Sequence, residues 1–481
     1  MRNLLLLLIP LYLGYHLFTL NRESLPSYSE VVLAKSSVEL KDNPLLFFKN
    51  NVHHSFQTSS TIQSPLFVVA NAFVAKYIGV NLFSFRLIGV LFTLLILVIL
   101  FGYFGFLEKG SFKNASFLLI AAFMIDPVFN QQLHGNAHLV TALVFLLLSL
   151  RIEFKKAEYT FYSTLISSFC FVISALFYLP IVFVLPILLI YKIITALSGI
   201  KNGKPHFLYH LFFWILFVVL FFLPWQLISG IDLIKTIESI WLANSWSSAF
   251  TLSYPCSFLL LFVLISLIYS SFQKEYEIEQ KGLVLLLVGI FISFFAFNAF
   301  QINNFILIIP FIYLLIFATL PLNITDNNAR VGRYLPLVIL LGFNSLIFSI
   351  QTINHFFDYQ ARGGEEMAEF VKKYIPKDKT VIGDATAGFA LLEQGYDYQP
   401  IHSSLDLSQQ IKKGNQEFAA IGIGFENSNQ FIASTLQFEG FKLVSTLQYT
   451  PSVVSQFLGS IGLVNADEKE LYSLHIYQRK K

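Results

Sequence analysis

Apolar runs, most of them long enough to cross a ~30 Å hydrocarbon core, recur throughout the first 353 residues. The first is Leu4 to Leu20. The others fall at approximately 87–107, 115–132, 137–150, 160–178, 180–196, 207–228, 254–272, 282–298, 304–320 and 334–352. In lipid every backbone amide must be satisfied within its own segment, so a chain patterned this way folds as a bundle of helices. Only 13% of the residues are charged, against about 25% in soluble domains. The net charge of +3 supplies no electrostatic footprint for nucleic acid. Cys170 and Cys256 lie in or beside apolar runs and suggest neither a disulfide framework nor a metal site.

The connectors set the orientation. Lys109 and Lys113 lie in one connector; Arg151, Lys155 and Lys156 in the next but one; then Lys201 and Lys204, Lys274 and Lys281, and Arg330 and Arg333. The intervening connectors, around 131–136, 179–180 and 298–303, carry no Lys or Arg, and 229–253 carries only Lys235. By the positive-inside rule the first set is cytoplasmic, and Arg2 places the N-terminus there too. Leu4–Leu20 exceeds the usual 7–15-residue core of a signal peptide and no A-x-A-like site follows it, so it reads as an uncleaved anchor. Leu66 to Ile78 is apolar but only 13 residues long. Were it a span, every later basic connector would lie outside. It therefore reads as an interfacial helix opened by Ser64-Pro65, with Asn71 and Lys76 toward water. The expectation is a polytopic α-helical membrane protein of about eleven transmembrane helices, N-terminus in and C-terminus out, with residues 1–353 forming the membrane domain and 21–85 a long outer loop.

Residues 354–481 differ. In GGEEMAEFVKKYI, Met367, Phe370, Val371 and Tyr374 recur at helical spacing. TVIGD reads as a strand, ATAGFALLEQG as a helix ending in glycine, EFAAIGIGF as a buried strand, 427–438 as a helix, and FKLVSTL and LYSLHIYQ as further strands. Alternation of this kind implies a small extracytoplasmic α/β domain. Gly422-Ile423-Gly424 has Asn427 where a third glycine of a dinucleotide fingerprint would stand, so a nucleotide site is not expected.

In this order the segments resemble the GT-C class of integral-membrane glycosyltransferases, nearest the bacterial protein O-mannosyltransferase and aminoarabinose transferase branch. The resemblance rests on the anchor helix, the long first outer loop, and S-P-L-F at its interfacial helix. It rests further on GVNLFSFRLIGVLF entering the next span, MIDPVFNQQLHGNAHL at the outer end of the third, and the C-terminal domain. It implies transfer of a sugar from a polyprenyl-phosphate donor to a glycan, lipid or protein acceptor at the outer face of the bacterial cytoplasmic (inner) membrane. Such chemistry needs a carboxylate to take the acceptor proton and strong donors for the leaving phosphate.

Where the family carries Asp-Glu early in that loop, this chain has Ser29-Glu30, so the base role would move to Glu30 or Asp42. The alternative for Glu30 is a solvated or ion-paired residue; Glu39 and Asp42 also read as plain surface charges. Asp126, beside Pro127 near the end of a span, is a third catalytic candidate, because a carboxylate there is costly; a hydrogen-bonded interfacial role is the alternative. The expected substrate-binding set comprises Tyr28, His53, His54, His134, Asn136, His138, Lys235, Trp241, Asn244, Gln301 and Asn303. The four histidines with Glu30 or Asp126 could hold a divalent metal ion, but no spacing demands one, and polar lining is the simpler reading. Trp241 suits the lipid–water boundary. Relatives often have a base before the span that Gln301 and Asn303 precede, leaving Lys235, Lys35, Lys41 and Lys49 as cations for a phosphate. Three functions remain open: an active transferase, a catalytically degenerate relative serving as a partner or lipid-binding subunit, and a transporter of lipid-linked sugar. The transporter is disfavoured by the lack of an internal repeat and of midplane charges.

Overall fold

The computed structural model describes residues 2–20, 27–42, 64–107, 113–154, 160–201, 206–229, 288–290, 306–319, 327–358, 364–413, 416–429, 431–460 and 472–480. The first helices are α1 (Arg2–Thr19), α2 (Tyr28–Asp42), α3 (Pro65–Tyr77), α4 (Leu82–Leu107), α5 (Lys113–Met124), α6 (Pro127–Leu133) and α7 (Ala137–Phe154). There follow α8 (Phe161–Phe177), a 3-10 turn over Leu179–Val184, α9 (Leu185–Lys201), α10 (His206–Ser229), α11 (Ile309–Thr319) and α12 (Asn327–Phe357). The remainder comprises α13 (Glu365–Tyr374), β1 (Thr380–Gly383), α14 (Gly388–Glu393), β2 (Asp397–Pro400), α15 (Ser404–Lys413), β3 (Phe418–Gly422), α16 (Ile423–Ser428), α17 (Ile432–Phe438), β4 (Phe441–Leu447), α18 (Val453–Ser460) and β5 (Leu474–Arg479). Three segments among the described residues are long and apolar enough to cross a membrane: Leu82–Tyr103, Leu179–Leu197 and Leu337–Phe357.

The chain divides into two compact units, one of residues 1–13, 45–67 and 89–346, the other of 14–44, 68–88 and 347–481. In the first, helices are joined by side-chain hydroxyls, a usual adhesive where lipid supplies no hydrophobic drive between helices. Ser174 Oγ donates to the Ala142 carbonyl at 2.6 Å, Ser149 Oγ to that of Ser167 at 2.9 Å, and Tyr103 OH to that of Leu147 at 2.7 Å. Gly89 lets α4 approach the start of α7, since a Cβ there would lie 3.0 Å from that of Ala137. Buried Lys192 pairs with Glu153, and its ammonium sits 4.9 Å from the Trp214 ring centroid.

The second unit is organised on a five-stranded sheet of order β2-β1-β3-β5-β4. The first three strands run parallel, and β5 is antiparallel to both β3 and β4. Every residue of β3 is buried, as a strand covered on both faces requires. One face packs Val381, Phe418, Ala420 and Ile476 against α13, α14 and, from far upstream, Val31 and Ala34 of α2 with Ala75 and Phe85. The other packs Ile382, Ala419, Ile421 and Tyr477 against Leu407 and Ile411 of α15 and Ile432 and Leu436 of α17. Helix α2 reaches the sheet closely enough that a Cβ on Gly388 would strike the Val31 side chain at 2.6 Å. Lys35 Nζ donates to Gln399 Oε1 at 2.9 Å.

Two expectations need correction. Asn71 does not face water: it is 0% exposed, on the face that also buries Phe67, Val68, Ala72 and Ala75, while Phe73, Lys76 and Tyr77 are exposed. The sequence argument assumed that polar residues mark the wet face, whereas this helix turns its amide inward and an aromatic outward. Gly424 is not in a strand either; β3 ends at Gly422 and α16 begins at Ile423. The Asp384 carboxylate accepts the Gly422 N–H at 2.8 Å, and a Cβ on Gly422 would meet Thr386 Oγ1 at 2.3 Å. That amide is already taken by a side chain of the same unit.

Candidate functional site

Glu30 lies in the first turn of α2, where the Ser27 hydroxyl accepts its backbone N–H at 3.2 Å. It is not a loop residue. Its partner is Arg86, one turn into α4, and the contact is bidentate: Nε to Oε1 at 2.7 Å and Nη2 to Oε2 at 3.0 Å. Nη1 donates to the Leu20 carbonyl at 3.1 Å. Arg86 is entirely buried and Glu30 nearly so. A guanidinium fork matched to a carboxylate, with each of its three nitrogens donating at least once, is the arrangement in which a buried pair is retained. A carboxylate offers about four lone-pair sites, and the guanidinium uses two of them. Glu30 can therefore still accept a hydroxyl donor while its charge and orientation are held.

Asp126 is engaged differently. Pro127 follows it at the first position of the short α6, and Asp126 is that helix's N-cap, accepting from the amides of Val128 at 3.0 Å and Phe129 at 2.8 Å, both on Oδ1. Oδ2 accepts from Tyr313 OH at 2.9 Å. Asn344 Nδ2 donates to the same phenol at 2.8 Å and to the Ala122 carbonyl at 2.9 Å. Just beyond, Asn130 Nδ2 bonds the Met124 carbonyl and its Oδ1 accepts from Tyr12 OH. The buried carboxylate thus closes a break between α5 and α6 and ties it to α11 and α12. This is the hydrogen-bonded alternative, and no open face for a substrate is left on Oδ1.

The other expected residues are dispersed. Asp42 is exposed at the end of α2, 3.4 Å from the Lys41 ammonium. The Tyr28 ring packs at a tilt with its centroid 5.1 Å from that of His402, which contacts Asp406; burial and, after it, the Asp406 charge push the Tyr28 phenol up to about 12, so it stays a neutral donor. Burial likewise lowers Lys35, against the opposing pull of Glu39 and Asp397, and with its bond to Gln399 it is no free cation for a phosphate. His134 and Asn136 occupy the turn between α6 and α7, where the Asn136 carbonyl accepts the amides of Leu139 and Val140. His138 is buried between the rings of Phe67 at 5.7 Å and Tyr178 at 5.8 Å, which is the setting of a core histidine. No group of three metal-ligating side chains occurs among the described residues. His53, His54, Lys235, Trp241, Asn244, Gln301 and Asn303 lie outside the described residues.

Sequence reasoning missed Arg86, Tyr313 and Asn344 as site residues. Arg86 stood within the quoted GVNLFSFRLIGVLF segment, and the signal was available: a buried arginine in an apolar helix needs an acid, and Glu30 belongs to the outer loop that leads into that helix.

No family model matches the chain, and no curated protein does either. Among solved structures, ArnT from Cupriavidus metallidurans bound to undecaprenyl phosphate aligns with a TM-score of 0.57 and 9% identity, covering 99% of this chain and 98% of that one. Its apo state aligns at 0.58 with 10% identity and the same coverage. The chain has a GT-C-like fold. The alignment takes in both units.

Proposed function

We propose that this chain is a membrane glycosyltransferase that moves a sugar from a polyprenyl-phosphate-linked donor to an acceptor at the outer face of the cytoplasmic membrane. About eleven spans, the N-terminus inside and the sheet unit outside, accompany this reading. The observation that carries it is the end-to-end likeness to a transferase solved with undecaprenyl phosphate bound. Among the carboxylates considered, Glu30 suits the acceptor side best: Arg86 fixes its charge while lone pairs stay open to a hydroxyl. The acceptor hydroxyl would donate to Glu30 as it attacks the anomeric carbon, and the polyprenyl phosphate would leave.

A second reading has its own support. Ser29, standing where relatives keep an acid, exchanges its hydroxyl bond with Ser27 at 3.0 Å, and Asp126 is committed to its cap. A chain so arranged could hold the lipid without performing transfer.

The deciding experiment uses the full chain in nanodiscs, with undecaprenyl phosphate binding and transfer from a radiolabelled polyprenyl-phosphate sugar measured side by side. The transferase reading expects both, with Glu30→Gln reducing transfer by 10²-fold or more, on the order expected for a general base, while lipid binding persists. Binding without transfer replaces it by the lipid-binding reading. Absence of both overturns the two together.

A further inference from the structure

One uncharged helix of the sheet unit is bonded directly to the end of α12. Helix α18, VVSQFLGS, contains no charged residue, and its outward face presents Val453 at 82% and Phe457 at 62% exposure, four residues apart on one side. Its opposite face is fixed. Asp358 Oδ1 accepts the Ser452 amide at 2.9 Å, and buried Ser455 donates its hydroxyl to the side chains of Asp358 and Asn354. Asn354 belongs to the last turn of α12, and Asp358 is the residue directly after it.

That tether fixes the depth of the helix. The apolar segment of α12 runs to Phe357, and Ile353, Phe356 and Phe357 are themselves exposed at its end. If α12 crosses the bilayer, Asp358 stands where hydrocarbon gives way to headgroups. The headgroup layer is roughly 5–8 Å deep on each side, and eight helical residues extend about 12 Å in any direction. Val453, next to the bonded amide of Ser452, therefore begins inside that layer, and Phe457 follows one turn on. An uncharged helix with an aliphatic and an aromatic side chain facing out suits the lipid–water boundary far better than open water.

We propose that α18 is an interfacial anchor whose Val453–Phe457 face inserts into the outer surface of the bilayer and seats the sheet unit on the lipid. The occupant of this face is lipid, by continuity with the exposed end of α12. The inference rests on the reading of α12 as a span and is independent of whether the chain transfers sugar.

The test uses the full chain in lipid nanodiscs, with Cys170 and Cys256 replaced by serine and a spin label placed singly at positions 338, 412, 453 and 457. Val338 is exposed within the apolar segment of α12, and Lys412 is exposed on α15. Collision rates with oxygen, which concentrates in lipid, and with a water-soluble nickel chelate are compared. The expected result is an oxygen-to-nickel ratio at 453 and 457 several-fold above that at 412 and approaching that at 338. A label at 457 as open to nickel as at 412 overturns the proposal, and the ratio at 338 then tells whether the span reading fails with it. Shielding of 457 from both probes also overturns it, since a protein surface would then be the occupant. Should the cysteine replacements not fold, Phe457→Trp in the native chain serves instead: extra emission quenched by brominated lipid supports the anchor, and unquenched emission sinks it.

Discussion

Two buried carboxylates, Glu30 and Asp126, hold their places by opposite means. Glu30 is bound to a full positive charge, Arg86, through two charge-assisted bonds. Asp126 is bound to neutral donors, two backbone amides and the Tyr313 phenol. The first arrangement is all-or-nothing, because removing either partner leaves an uncompensated charge. The second is distributed over three donors and degrades piecemeal. The pairing takes two of the roughly four lone-pair sites on Glu30, whereas the cap and the phenol take three of those on Asp126.

The largest effect is expected from Arg86→Ala. It should destabilise the chain by about 3–5 kcal/mol, the usual cost of stranding one member of a buried pair, read as a fall in the unfolding midpoint of the detergent-solubilised protein. Combining it with Glu30→Ala should cost less than the sum of the single changes, because the double variant strands no charge. Additive losses would mean that the two side chains do not act as a pair. Asp126→Ala should cost less, on the order of 1–2 kcal/mol for a lost cap, with a partial recovery in Asp126→Asn. A loss at Asp126 as large as that at Arg86 would erase the contrast. Tyr313→Phe removes one of the three donors and should cost about 1 kcal/mol.

The smallest effect extends the comparison beyond the membrane helices. Burial pushes the Glu426 carboxyl up, but bonds from His475 and Tyr477 and the nearby His475 charge outweigh it and hold the group below its ordinary value. Its contribution to stability is therefore full above the ordinary carboxylate pKa of about 4.3 and is lost as pH falls through the depressed folded value. Asp384 runs the other way. Burial raises it despite bonds from Thr386 and Gly422, so its ionisation costs stability as pH climbs from the ordinary toward the raised value. Glu426→Gln should flatten the acid limb of the stability profile, and Asp384→Asn should flatten the part above it. Unfolding of the full chain followed across that range reads both.

Hydropathy made the long helices α4, α9 and α12 readable from the chain, because lipid imposes both their length and their composition. It failed on α3 for the same reason: a rule that sends polar residues to water cannot anticipate Asn71 turned inward. In the sheet unit, β1, β3, β4 and β5 followed from their apolar content, whereas β2, the edge strand DYQP, is four residues long and ends in proline. Helix α15 was also missed, although Ser403 followed by Asp406 was a visible start signal; the Ser403 hydroxyl accepts the Asp406 amide at 3.1 Å. At the site, single residues were legible and pairings were not. Asp126 drew notice because a carboxylate near the end of a span is costly, and Glu30 through the family resemblance, but Tyr313 is 187 residues from Asp126, and nothing local in the chain records that distance.

Helix α2 gives the sheet unit a long wait during synthesis. Val31 and Ala34 complete one face of a core whose strands begin at Thr380, and the Lys35–Gln399 bond joins residues 364 apart. At about 5–20 residues per second, roughly 20–70 s pass between the appearance of the two halves. Through that interval the helix must stay unclaimed by other apolar surfaces, and the later segment decides whether the earlier one has kept its place.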